Sequence, residues 1–73
     1  MKKTQRYERR LAEARKGKLI SILTEYKAEI EREKARQNAS HNASHNAFVK
    51  SCCQQEIDQL MAEKNAIEAE VVG

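Results

Sequence analysis

Proline and tryptophan are absent from this 73-residue chain, glycine and cysteine occur twice each, and aromatic residues number three. Without proline, no position is barred from a helix interior. Gly17 is the one interior residue whose conformational freedom weakens a helix, by about 1 kcal/mol relative to alanine. Two cysteines cannot build a disulfide framework. No apolar run approaches the ~20 residues a bilayer requires, so no membrane partner is expected. The segment Met1-Lys2-Lys3-Thr4-Gln5-Arg6-Tyr7-Glu8 lacks the apolar core of a secretory signal. The expectation from these absences is a cytoplasmic protein with reduced thiols, in which the glycosylation-like triplets Asn38-Ala39-Ser40 and Asn42-Ala43-Ser44 would be idle.

What is present is helix-forming and charged. Asp, Glu, Lys and Arg make up 34% of the chain, and Ala, Gln and Leu are prominent, a composition of long amphipathic helices. The net charge of +3 is unevenly placed. Residues 1–18 hold eight basic residues against Glu8 and Glu13, a net +6, which leaves −3 for residues 19–73. A basic arm ahead of an acidic body predicts an anionic partner for the arm.

The segment Asn38-Ala39-Ser40-His41-Asn42-Ala43-Ser44-His45-Asn46-Ala47 contains a short duplication. It is uncharged, and its Asn and Ser side chains compete for backbone hydrogen bonds, so it predicts a surface spacer between two helices. The competing arrangement keeps the spacer helical within one long rod, which its alanines permit. Upstream, Thr4 is a plausible N-cap, and Tyr7, Leu11 and Ala14 share one helical face. Leu19, Ile22, Leu23, Tyr26 and Ile30 then form a stripe about 100° wide. Downstream, with Ser44 or Asn46 as N-cap, Cys53, Ile57, Leu60, Lys64, Ile67 and Val71 repeat at alternating spacings of four and three, with Phe48, Val49 and Met61 beside them. Lys64 is a polar break in that seam. Glu56, Glu63 and Glu70 recur one heptad apart, placed to meet basic residues on a neighbouring helix.

The expected fold is all-α. A basic arm (1–18) leads into helix one (19–37), the repeat spacer (38–46) turns the chain, and helix two (47–73) returns. Leu19, Ile22, Leu23, Tyr26 and Ile30 should face Cys53, Ile57, Leu60, Met61 and Ile67 across the packing interface. A lone two-helix hairpin buries little surface, so this antiparallel hairpin is expected to dimerise into a four-helix bundle.

The stretch Thr4-Gln5-Arg6-Tyr7-Glu8-Arg9-Arg10-Leu11-Ala12-Glu13 resembles the arginine-rich RNA-binding motif of lambdoid phage N antitermination proteins. In that family a Thr-Arg-Arg-x-Glu-Arg-Arg stretch becomes helical in the major groove of a small RNA hairpin. The resemblance covers residues 4–13 and implies phosphate contacts by Arg6, Arg9 and Arg10. Clustered guanidinium groups on one helix supply such salt-dependent binding on physical grounds alone. The candidate nucleic-acid surface is therefore Lys2, Lys3, Arg6, Arg9, Arg10, Arg15, Lys16 and Lys18, with RNA or DNA as the ligand. The bland alternative is a solvated helical face beside Tyr7 and Leu11. In size and build the chain also resembles the small helical accessory proteins of temperate phages, which implies a bacterial host cytoplasm.

His41 and His45 lie four apart, with Cys52 and Cys53 a few residues on. That spacing fits no common zinc pattern, and the duplication produces the histidine pair automatically, so no metal is expected. No cofactor motif, glycine-rich phosphate loop or catalytic triad is present, and two helices make a poor cleft. The expectation is a non-enzymatic interaction module that packs on a protein partner, with nucleic-acid binding by residues 2–18 as the alternative.

Overall fold

The computed structural model describes the backbone of residues 3–39 and 43–73, and the side chains of 5–39 and 47–73. All the described residues but Gly17, Lys18 and the segment ends Ala39 and Gly73 are helical. Helix α1 spans Lys3–Glu13, a widened turn follows over Ala14–Lys18, α2 spans Leu19–Asn38, and α3 spans Ala43–Val72. The all-α expectation holds, and α2 and α3 form the antiparallel hairpin. Gln37 Nε2 on α2 donates to the Lys50 carbonyl at 3.0 Å and to Gln54 Oε1 at 3.2 Å near the turn. Farther along, Tyr26 meets Glu63. Contacts between residues that far apart in sequence exclude the single rod.

The basic arm adds a third helix. Gly17 adopts φ 98° and ψ 8°, a left-handed conformation that glycine enters without penalty, and it ends the first helix as a C′ residue does. The chain therefore reverses at Gly17-Lys18, and α1 folds back along the hairpin. Arg6 reaches Glu56 and Glu63, and Arg15 reaches Glu70, so α1 runs parallel to α3 and antiparallel to α2.

The apolar stripes close on one another within one chain. Leu11, Ala14, Ile22, Tyr26, Ile30, Ile57, Leu60 and Ile67 form a single buried cluster, with Tyr7, Leu19 and Val71 packed against it. Cys53 is also buried, as a small apolar residue. Leu23 is half-buried and Met61 lies exposed at the edge. A third helix, α1 of the same chain, packs on the hairpin, an element the two-helix expectation did not contain. The shape is elongated, 44 × 23 × 17 Å, with a radius of gyration of 14.0 Å against about 11 Å for a compact chain of this length. The 30-residue α3, about 45 Å long, sets the long axis.

Three local expectations change. Helix α1 already includes Thr4, which therefore is not its N-cap. Helix α3 starts at Ala43, so Ser44 and Asn46 lie inside it rather than capping it. The spacer is accordingly shorter than 38–46: alanines 43 and 47 favour propagation of α3 backwards through the second copy of the repeat. Residues 40–42, including His41, lie outside the described residues, as does the side chain of His45.

Candidate interaction surface

Helix α1 is held by charge as much as by apolar contact. The heptad-spaced Glu56, Glu63 and Glu70 all turn toward it. Arg6 Nε donates to Glu63 Oε1 and Arg6 Nη2 to Glu63 Oε2, both at 3.0 Å, a bidentate fork. The remaining terminal nitrogen of Arg6 donates to Glu56 Oε2 at 3.0 Å. Glu70 accepts from Tyr7 Oη at 3.0 Å and from Arg15. On the α2 side, Arg10 pairs with Glu29 and lies 3.5 Å from Glu25. Its guanidinium also sits 4.5 Å above the Tyr26 ring, a cation–π contact.

Glu63 is the centre of this network. Its side chain is only 2% exposed. Oε1 accepts from Arg6 and from Tyr26 Oη at 2.9 Å, while Oε2 accepts from Arg6 and from Gln59 Nε2 at 3.3 Å. A carboxylate has about four acceptor positions, and all are filled. Burial pushes the Glu63 carboxyl up, but the hydrogen bonds from Arg6 and Tyr26, with the Arg6 charge, outweigh it and hold it below its ordinary range. Burial first, and then the Glu63 carboxylate, push the Tyr26 phenol well above its ordinary range. Glu63 chiefly, with Glu56, raises Arg6 against the opposing effect of burial. No lone pair of Glu63 is left for a substrate proton, so the arrangement works as a clamp on α1.

These directions fix a pH response. The carboxyl of Glu63 binds its proton more weakly folded than unfolded, so its stabilisation is complete above its ordinary value near 4.5 and is lost as pH falls below it. The phenol of Tyr26 keeps its proton more tightly folded, so its contribution is lost as pH climbs beyond 10.0. The urea midpoint should be flat from about pH 5 to 9 and fall on both sides. Glu63→Gln should flatten the acid limb; an unchanged acid limb in that variant would remove Glu63 as its source.

The eight basic residues expected to face nucleic acid divide accordingly. Arg6, Arg10 and Arg15 bind the hairpin's acids, and Lys18 lies 3.2 Å from Glu13. Arg9 and Lys16 are exposed and form no ion pair among the described residues. Arg9 borders a cleft of about 360 Å³ between α1 and α2, lined also by Arg6, Arg10, Glu13, Ile22 and Glu25. The side chains of Lys2 and Lys3 lie outside the described residues.

The opposite face of the hairpin carries a second feature. Lys27 and Glu29 on α2 stand two residues apart, hence about 200° around the helix, as do Met61 and Glu63 on α3. Whatever faces α1 at the glutamates, Lys27 and Met61 face away from it. There Lys27, Ile30, Glu31, Lys34, Met61 and Lys64 line an open groove of about 380 Å³. Ile30 lies buried at its floor and Met61 is 43% exposed. Glu31 lies 4.0 Å from Lys34, and Lys64 lies 3.9 Å from Glu68, so the polar break in the seam reaches the groove's border. Of the residues expected at the packing interface, only Met61 points largely into this open space.

Spacing alone located the glutamate ladder, but nothing in the sequence distinguished its partner as α1 of the same chain. Among the described residues, no group of three or more His, Cys, Asp or Glu side chains is placed to hold a metal, and no helix is long and apolar enough to cross a membrane. No protein family, curated protein or solved structure shows significant similarity to this chain.

Proposed function

We propose that this protein is a non-enzymatic helical interaction module whose α2–α3 face, on the side away from α1, receives a helix of a protein partner. The observation that carries this reading is the groove itself: an apolar floor with a flexible exposed methionine, bordered by three lysines and one glutamate. Methionine adapts to varied apolar partners, and lysine stems extend such a surface while their charges stay in water. The complementary ligand is an amphipathic helix with acidic residues flanking its apolar stripe.

Titrating the labelled protein with a designed acidic amphipathic peptide tests this by NMR. Shifts should concentrate at Lys27, Ile30, Lys34, Met61 and Lys64. Met61→Glu should weaken binding by about tenfold or more, as the new carboxylate removes the apolar contact, occupies the bordering lysines and repels the acidic peptide, together costing over 1 kcal/mol. Shifts spread over α1, or binding indifferent to Met61→Glu, would refute it.

Nucleic-acid binding by residues 2–18 is the second reading, favoured by the exposed Arg9 at the α1–α2 cleft and by the exposed Lys16. Weighing against it, Arg6, Arg10 and Arg15 would have to leave their glutamates to meet phosphate. Titration with an RNA hairpin at low and high salt separates the two readings.

A further inference from the structure

We infer that α1 exchanges between two copies of this chain, so that each hairpin can hold the other copy's arginine helix. This is a different surface from the lysine-bordered groove and does not depend on it. Three observations carry the inference.

First, the ligand that fits the hairpin's acidic face is already specified. Among the described residues, the polar attachments of α1 and the turn after it to the hairpin run side chain to side chain, from Arg6, Tyr7, Arg10 and Arg15 to glutamates of α2 and α3. A second copy offers the same side chains in the same register, so exchange preserves each contact.

Second, the connection between α1 and α2 is a turn that the helix can absorb. Its only non-helical residues are Gly17, at φ 98°, and Lys18, at φ −102° and ψ 26°. No side chain caps the start of α2, so its first-turn N–H groups gain partners if the helix continues through residues 17 and 18. A Cβ placed on Gly17 meets nothing within 4 Å, so no packing at this residue locks the turn. The straightened helix from Lys3 to Asn38 would be about 54 Å long.

Third, the direction of α1 lets the exchange close. Because α1 lies antiparallel to α2, two straightened helices side by side place each α1 on the other copy's hairpin. The two long helices are then antiparallel and related by a two-fold axis. Such an isologous contact ends at the dimer and leaves no open face for further growth. The short connection gives the intramolecular arrangement a high effective concentration, so dilution favours the monomer and high protein concentration the exchanged dimer.

Gly17→Ala tests this. Alanine is strained in the left-handed turn and favours the continuous helix, and the dimer contains two such positions. The dimer dissociation constant from sedimentation equilibrium should fall at least about tenfold relative to wild type. In an equal mixture of isotope-labelled and unlabelled Gly17→Ala, isotope-filtered NOEs should cross between copies, from Leu11 to Ile67 or Tyr26. A Gly17→Ala protein that stays monomeric at every concentration overturns the inference. So does a dimer whose α1–hairpin NOEs remain within one copy, the result expected if copies pair through the groove instead. Should Gly17→Ala lose its helicity, the same mixing measurement on concentrated wild type decides: copy-crossing NOEs support exchange, and their absence overturns it.

Discussion

Arg6→Ala is expected to lower the thermal midpoint by roughly 10–20 °C, although Arg6 lies on the short outer helix and contributes no apolar core atom. Its cost arises on the far side of the contact. Removing the guanidinium leaves Glu63 buried with two of its four hydrogen bonds, from Tyr26 and Gln59, and without a counter-charge. Breaking a buried pair by deleting one member costs about 3–5 kcal/mol. The lower end applies here, because Arg6 is itself 29% exposed and water can reach part of the gap. A chain of this length has a total stability of about 4–11 kcal/mol, so a loss near 3 is a large share of it. Arg6→Lys should rescue little, since a lysine cannot supply the fork and the third bond to Glu56 together. Arg6→Ala combined with Glu63→Gln should recover part of the loss, because the stranded charge is gone. Circular-dichroism melts of the four proteins measure this, and a melt for Arg6→Ala within a degree or two of wild type would falsify the clamp.

Much of the fold was legible because helical spacing reports which residues share a face. Ile22, Tyr26 and Ile30 on one side and Cys53, Ile57, Leu60 and Ile67 on the other are the residues that meet. The one-heptad spacing of Glu56, Glu63 and Glu70 marked a second face of α3 as a place for basic partners. What spacing cannot report is which chain supplies them. The amphipathic stripe of Tyr7, Leu11 and Ala14 was visible, but a basic helix can face water, phosphate or acids equally well until a turn is fixed. That turn depends on the sign of φ at a single glycine. At Gly17 a bend of a continuous helix and a full reversal have the same sequence signature, and only the reversal brings Arg6 to Glu63. Tyr26 was likewise visible as a core residue, while its hydroxyl partner 37 positions away was not, because polar pairing across a core leaves no periodic trace.

The folded-back arm also changes what the small core must do. A two-helix hairpin leaves one side of each apolar stripe in water, and α1 covers that side only along the stretch of α3 that carries Glu56 to Glu70. Toward Gln37 and Lys50 the hairpin stands without it, and there Phe48 remains 70% exposed. Stability should therefore be graded along the long axis, with slowest amide exchange around Tyr26 and Glu63 and fastest near the turn.

Tyr26→Ala is accordingly expected to be the most damaging substitution in the protein, and Tyr26→Phe a mild one. Tyr26 is fully buried, so truncation to alanine opens a large cavity, and aromatic-to-alanine changes in cores cost about 3–5 kcal/mol. Two further losses are specific to this site. Arg10 loses the ring beneath its guanidinium, and Glu63 loses the hydroxyl donor on Oε1. Against a total of about 4–11 kcal/mol, Tyr26→Ala should leave the chain largely unfolded at moderate temperature. Tyr26→Phe keeps the ring and its stacking and removes one hydrogen bond, about 1–2 kcal/mol. The phenylalanine variant carries a second test. Arg6 and Tyr26 donate to the same oxygen of Glu63, so their effects should not add: with both donors gone, the carboxyl is pressed toward protonation, and the charge that made each loss costly is itself removed. Urea titrations of Tyr26→Phe, Arg6→Ala and the double variant should show a coupling of about 1 kcal/mol or more, with the double variant more stable than the sum predicts. Strict additivity would mean that the two side chains act on separate parts of the molecule, and that the carboxylate of Glu63 does not join α1 to the centre of the hairpin.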